Sequence, residues 1–105
     1  MVMPSFYIYK IINIINNKVY IGKSKNPQNR FKRHLYIAKR GNYNDNQFQP
    51  IHAAIVKYGK DNFTIEIIDQ CDLESDIFNK EIYWIDFYKS NISRYPNGNG
   101  YNLTD

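Results

Sequence analysis

Arg30 and His34 stand four residues apart in a stretch of helical period, so a guanidinium and an imidazole lie one above the other, a pair able to hold a phosphate. Further along, Glu81 interrupts the apolar stripe Leu73, Ile77, Trp84, Ile85 and Tyr88. A carboxylate on the inward side of a core helix is costly to desolvate unless it is paired or holds a cation. Two partners fit equally well: a salt bridge to Arg30 or a lysine, and a metal ion. Tyr9 and Tyr20 form a further pair, and whether they can cooperate depends on the strands that carry them.

Those strands lie in YIYKIINIINNKVYIG, Tyr7 to Gly22. Tyr7, Tyr9 and Ile11 alternate with Ile8, Lys10 and Ile12, the segment from Lys18 alternates likewise, and the polar Asn16-Asn17-Lys18 between them is a hairpin signal. A two-residue turn at Asn16-Asn17 leaves Tyr9 roughly 13 Å from the residue opposite Tyr20, too far for joint action. A loop from about Asn13 to Lys18 instead pairs Ile11 with Tyr20 and makes Tyr9 its diagonal neighbour at roughly 7 to 8 Å. The longer loop is the favoured reading. Taken alone, though, two tyrosines among ten are better explained as fillers of a half-buried sheet.

Asn26-Pro27 supplies an N-cap and a first-turn proline, and Gly41 a stop, so a first helix is expected from Pro27 to Arg40 with Phe31, Leu35 and Ala38 inward. Asn42 to Gln49 reads as a loop. Pro50 opens a second helix that Gly59 ends, with Ile51, Ala54, Ile55 and Tyr58 buried; His52 falls off that stripe and reads as a surface histidine. Phe63 to Asp69 alternates as a third strand, and Leu73 to Tyr88 is the strongest helical period. In the turn-rich tail, Tyr101-Asn102-Leu103 can dock back, its apolar residues anchoring the amide near the sheet. The order β-β-α-α-β-α predicts one small α/β domain covering residues 1–105.

A formal charge of +4 and a pI near 9.1 suit a polyanionic partner without demanding one. Eight lysines and arginines lie between Lys18 and Arg40, a span without an acidic residue. The single cysteine, Cys71, excludes an internal disulfide and a cysteine-built zinc site. No stretch approaches the roughly 20 apolar residues of a membrane span, and the opening residues lack a secretory pattern, so cytoplasmic residence is expected.

Together these residues resemble the GIY-YIG nuclease family, in particular the catalytic domain of its small homing and phage-type endonucleases. The half-motifs stand as Tyr7-Ile8-Tyr9 and Tyr20-Ile21-Gly22, followed by Arg30 and His34 in NRFKRH, Glu81 in NKEIYWI and Asn102 in GYN. One departure is plain: Tyr7 takes the place of the family's first glycine. The resemblance implies a three-stranded antiparallel sheet flanked by helices, and hydrolysis of DNA using one divalent metal, Mg²⁺ or Mn²⁺. It implies Glu81 as the metal ligand, Arg30 on the scissile phosphate, and Tyr9 and Tyr20 around the attacking water, one of them as base. His34 would position a tyrosine or the phosphate, Asn102 would brace the site, and Gly22 would let backbone approach phosphate. Lys23 would steady the water or the base. The basic first helix adds Lys32 and Arg33 as phosphate contacts.

Two other classes compete: a nucleic-acid-binding module of the same fold that lacks the chemistry or needs a partner, and a structural interaction domain without affinity for DNA. The sequence contains no zinc-finger spacing, helix-turn-helix candidate or basic tail, so a specificity element is expected on a further domain or partner, or else the enzyme has low specificity.

Overall fold

The computed structural model describes residues 5–41 and 47–104. Strand β1 (Phe6–Asn13) pairs antiparallel with β2 (Val19–Ser24) and with β3 (Phe63–Cys71), giving the order β2-β1-β3. Ile11 faces Tyr20 and Tyr9 faces Gly22. The longer hairpin loop is therefore the one formed, and its asparagines explain why. Buried Asn13 accepts the Ile15 N–H on Oδ1 and donates from Nδ2 to Tyr101 Oη, while Asn16 Oδ1 accepts the Lys18 N–H. Asn17 takes the left-handed backbone, φ 63°, which asparagine tolerates better than most residues.

Alternation on β1 sorts the core into two clusters. Tyr9 and Ile11 pack against α1 (Pro27–Arg40) and α2 (Pro50–Tyr58) through Ala38, Ile51, Ala54 and Ile55. On the other face, Ile8 joins Val19 and Ile21 of β2 and Ile77 and Ile85 of α3 (Glu74–Tyr88). The helix limits follow the punctuation. Asn26 Oδ1 accepts the Asn29 N–H to cap α1, and Gly41 ends it with φ 61°. A short 3₁₀ turn, Lys60–Asn62, leads from α2 into β3. Asp69 ties α3 to β3 by accepting from Lys80 Nζ at 3.2 Å and Trp84 Nε1 at 2.9 Å.

Two expected core contacts do not form. Leu73 is 60% exposed because it is the N-cap of α3, one residue before the helix begins. Leu103 is 49% exposed, past the last backbone contacts of the tail. Of the loop expected at Asn42 to Gln49, residues 42–46 lie outside the described residues, and Gln47 to Gln49 are non-helical.

The tail closes the outer edge of β2. Val19 N–H donates to Asn99 O and Tyr101 N–H to Val19 O, extending the sheet by a short parallel bridge. Asn102 continues this with its side chain: Oδ1 accepts the Ile21 N–H at 2.9 Å and Nδ2 donates to Ile21 O at 2.8 Å. Ser90 Oγ donates to the same Oδ1 at 2.8 Å. A Cβ on Gly100 would run into Ser90, so only glycine lets the two segments lie together. Replacing Asn102 by Ala strands a buried N–H and C=O of Ile21, and is expected to cost about 1–3 kcal/mol. Denaturant midpoints test this, and a parental midpoint would mean that water replaces the amide without loss.

Candidate active site

The register places Tyr9 and Tyr20 on one face as diagonal neighbours, with ring centroids 6.3 Å apart and planes 12° from parallel. Tyr9 lies across its strand partner Gly22: any Cβ there would overlap the ring and hydroxyl of Tyr9. The observed need for glycine at position 22 is thus to seat a phenol. β3 carries one extra residue opposite the Ile8–Tyr9 step, and such a bulge increases the local twist of the strands.

His34 reaches this pair from α1. Its Nε2 is 2.9 Å from Tyr9 Oη, and its ring centroid is 5.1 Å from that of Tyr20. Behind it stands His52, expected at the surface but only 1% exposed. His52 does lie off the apolar, sheet-facing stripe of α2, yet it is buried. Its partner is instead α1, where His34 Nδ1 lies 2.8 Å from His52 Nε2. His52 Nδ1 accepts the backbone N–H of Gln49 at 2.8 Å. His52 is three residues after the Gln49 N-cap, and that capping-box spacing is the signal that could have found it.

Arg30 is exposed and borders a hollow of about 260 Å³ with Tyr20, Arg33, His34 and Gln49. Glu81 borders an adjoining hollow of about 230 Å³ with Tyr20, Gln49 and Asn102. Tyr20 and Gln49 belong to both, so the two form one polar trough over the β2 edge. Glu81 is 15% exposed at its side chain and lies 3.7 Å from Lys23 Nζ. Of the pairings considered for it, the ion pair to a lysine is therefore present, and the lysine is Lys23. Arg33 Nη2 donates to Gln47 Oε1 at 2.6 Å, on the Arg30 side. Lys32 does not join them: it borders a separate cleft of about 580 Å³ between α1 and α2, with Leu35, Tyr36 and Val56.

Among the described residues no cluster of three or more His, Cys, Asp or Glu forms a metal cage. The donor set of the trough, one carboxylate beside neutral oxygens, nevertheless fits Mg²⁺ or Mn²⁺, because Mg²⁺ commonly takes one or two carboxylates and fills its remaining positions with water and phosphate.

Burial pushes both phenols above the ordinary tyrosine range. Glu81 raises both further, whereas Arg30 lowers both. The two differ in how each acts on the other: charge on Tyr20 raises Tyr9, and the approach of the two hydroxyls raises Tyr9 further but lowers Tyr20. Burial also holds His34 down to about 3, helped by His52, Arg30 and Arg33, and His52 down to about 4.

Known proteins share this sequence pattern and fold. The family model described as the GIY-YIG catalytic domain matches residues 5–96. The chain belongs to the GIY-YIG family. Intron-associated endonuclease 1 of Enterobacteria phage T4 is 34% identical over 99 residues, 93% of this chain but 36% of that protein. The chain thus spans about a third of the length of this relative. Two solved structures superpose on it. The catalytic domain of intron endonuclease I-TevI, a glutamate-to-alanine mutant, gives a TM-score of 0.76 at 31% identity over 98% of this chain and 96% of that one. The catalytic domain of homing endonuclease I-TevI gives 0.74 at 31% identity over 95% and 99%.

The GIY-YIG fold expected from the half-motifs is the fold observed. Tyr7, in place of the glycine, is accommodated within β1 opposite Ser24 and Gln70, half-buried. Asn102 falls beyond the matched residues, and its place in the site rests on its bonds to Ile21.

The buried imidazoles give the GIY-YIG site an acid sensitivity. Their folded values lie below the ordinary 6.5, so between about 6.5 and about 4 the unfolded chain binds more protons, and their contribution is full above 6.5 and lost as pH falls. Each excess proton is expected to remove about 1.4 kcal/mol per pH unit. Denaturant unfolding from pH 7.5 to 5 measures it, and a flat profile would mean that neither ring is held neutral by burial.

Proposed function

We propose that this domain is an endonuclease that hydrolyses DNA phosphodiester bonds with a divalent metal, Mg²⁺ or Mn²⁺, held by Glu81. The observation that supports it most is the convergence of Arg30 and His34 from α1, Tyr20 from β2 and Glu81 from α3 on one polar trough. The relatedness to endonuclease domains supports the same reading, with DNA as the partner and target choice supplied by a further domain or partner.

Tyr20 is the better candidate for the base. Tyr9 is 2% exposed and its hydroxyl is bonded to His34, whereas Tyr20 opens onto both halves of the trough. An ordinary tyrosine near 10 is a poor base at neutral pH, so its surroundings must favour the phenolate. Arg30 and the neighbouring Tyr9 hydroxyl work in that direction. A bound ion would polarise a phosphoryl oxygen and offset the Glu81 charge that opposes ionisation of Tyr20. Tyr20 then takes a proton from the attacking water. Arg30 grips the phosphate and balances the charge that grows on it, as a forked, permanently charged donor can. Lys23 counters Glu81 and can turn to the phosphate, while Asn102 holds the β2 backbone beneath Tyr20.

The Lys23–Glu81 pair supports a second reading, a binding module in which the carboxylate is already satisfied. Supercoiled plasmid cleavage separates the two. Cleavage is expected with Mg²⁺ or Mn²⁺ and none in EDTA. Glu81→Gln is expected to abolish it at a near-parental thermal midpoint, and Tyr20→Phe to slow it by about 10² or more, with Tyr9→Phe less affected. A Glu81→Gln variant cutting at the parental rate would place the metal elsewhere or remove it from the reaction.

The two sides of α1 make an independent prediction for DNA binding. Arg33→Ala is expected to weaken binding of unrelated duplexes alike and to flatten the plot of log K against log salt by about 0.9, one phosphate contact. Lys32→Ala, facing the cleft between α1 and α2, leaves the slope nearly parental. Equal losses from both would mean that DNA wraps the helix rather than following the trough.

A further inference from the structure

The direction of each hydrogen bond behind the phenol pair can be worked out from one fixed point. The Gln49 backbone N–H can only donate, so His52 Nδ1, 2.8 Å away, carries no proton. A neutral imidazole has one N–H, which His52 must then hold on Nε2. That nitrogen faces His34 Nδ1 at 2.8 Å and donates to it. His34 in turn holds its proton on Nε2, 2.9 Å from Tyr9 Oη, and donates there. Tyr9 Oη has accepted a bond, so its own hydrogen is available for the stacked Tyr20. Protonating His34 would bring two N–H groups face to face at His52. Both rings are at most 5% exposed, and among the described residues no buried side-chain nitrogen or oxygen lacks a partner.

We propose that His52 is a positioning residue of this site: anchored by the Gln49 amide at the start of α2, it locks His34 in the tautomer that donates to Tyr9, so that the Tyr9 hydroxyl is directed at Tyr20. Without the His52 donor, His34 is free to carry its proton on Nδ1. Its Nε2 then accepts, and the Tyr9 hydrogen turns toward the histidine and away from the stacked Tyr20. One tautomer change two side chains away thus reverses the polarity of the base's partner. The capping box of α2 serves a second purpose, because the bond that caps the start of the helix also sets the direction of the relay. The low basicity of both imidazoles agrees with a relay that stays neutral at physiological pH.

This inference rests on Tyr20 being the base, but its first test does not use activity. Long-range ¹H–¹⁵N spectra of the imidazoles in the parent protein at pH 7 are expected to show both rings neutral with the proton on Nε2. An Nδ1–H tautomer or a charged ring at either position overturns the relay. The second test compares His52→Phe, which keeps a ring but no donor, with His52→Gln, whose amide can still donate to His34. His52→Phe is expected to move the His34 ring signals and to slow single-turnover cleavage by about tenfold with DNA affinity nearly unchanged, the loss of one bond of about 1.4 kcal/mol felt in the reacting state. His52→Gln is expected to recover most of that rate. Equal rates for His52→Phe and parent, or no recovery in His52→Gln, overturn the positioning role; if His52→Phe does not fold, the parent spectrum and His52→Gln decide. A parent protein that cuts no DNA with either metal overturns the nuclease reading instead, and the spectra still report on the relay.

Discussion

The site depends first on the register of one hairpin. Pairing Ile11 with Tyr20 and Tyr9 with Gly22 puts two phenols on the same face as stacked diagonal neighbours. A slip of one residue would send either phenol to the α3 face, because side chains alternate along a strand. Local chemistry secures the register. Asn13 and Asn16 close the loop through their own side chains, Asn17 takes the left-handed turn, and Gly22 leaves the space that the Tyr9 ring fills.

Around that hairpin, exposed strand edge is converted into site. β2 is an edge strand, and an uncovered edge is both a pairing hazard and a row of unsatisfied groups. The tail covers part of it with backbone bonds at Val19 and a further part with the Asn102 amide at Ile21. Tyr20, between those two residues, is left facing the trough while its backbone neighbours are held. Stability and positioning therefore have the same cause: the bonds that satisfy the edge are those that keep Tyr20 in place.

Electrostatics divides the trough between two sources. Arg30 and Arg33 come from α1 and the Glu81–Lys23 pair from α3 and β2, so the phenols sit between a cationic side and a carboxylate. Neither phenol is near an ordinary tyrosine environment, and both opposing influences are fixed by elements that pack on different faces of the sheet. Neutral His34 adds a donor without adding charge. A charged lysine at that position would pay a desolvation cost that a buried imidazole avoids by staying neutral.

Much of this was legible in the residues alone. Period and punctuation placed α1 at its observed limits and β3 and α3 nearly so, because Asn-Pro starts, glycine stops and apolar spacing act within a few residues of chain. Parity and the polar loop placed Tyr9 beside Tyr20, and an inward Glu81 announced that something must meet it. What met it was a matter of tertiary structure: Lys23 lies on β2, and no local rule says which of several lysines an α3 carboxylate will find. The same limit hid His52, whose partner is on another helix rather than on the sheet that the stripe of α2 describes. It also set Lys32 on the cleft between α1 and α2 and Arg33 beside the trough, because packing decides what each side of α1 faces. The sequence by itself determined the elements, the face of each tyrosine and the residue types of the site, since these depend on local periodicity. Which groups touch, and hence the direction of the bond that reaches Tyr9, was decided only when separate elements packed together, because hydrogen bonds and ion pairs act over a few ångströms of space regardless of distance along the chain.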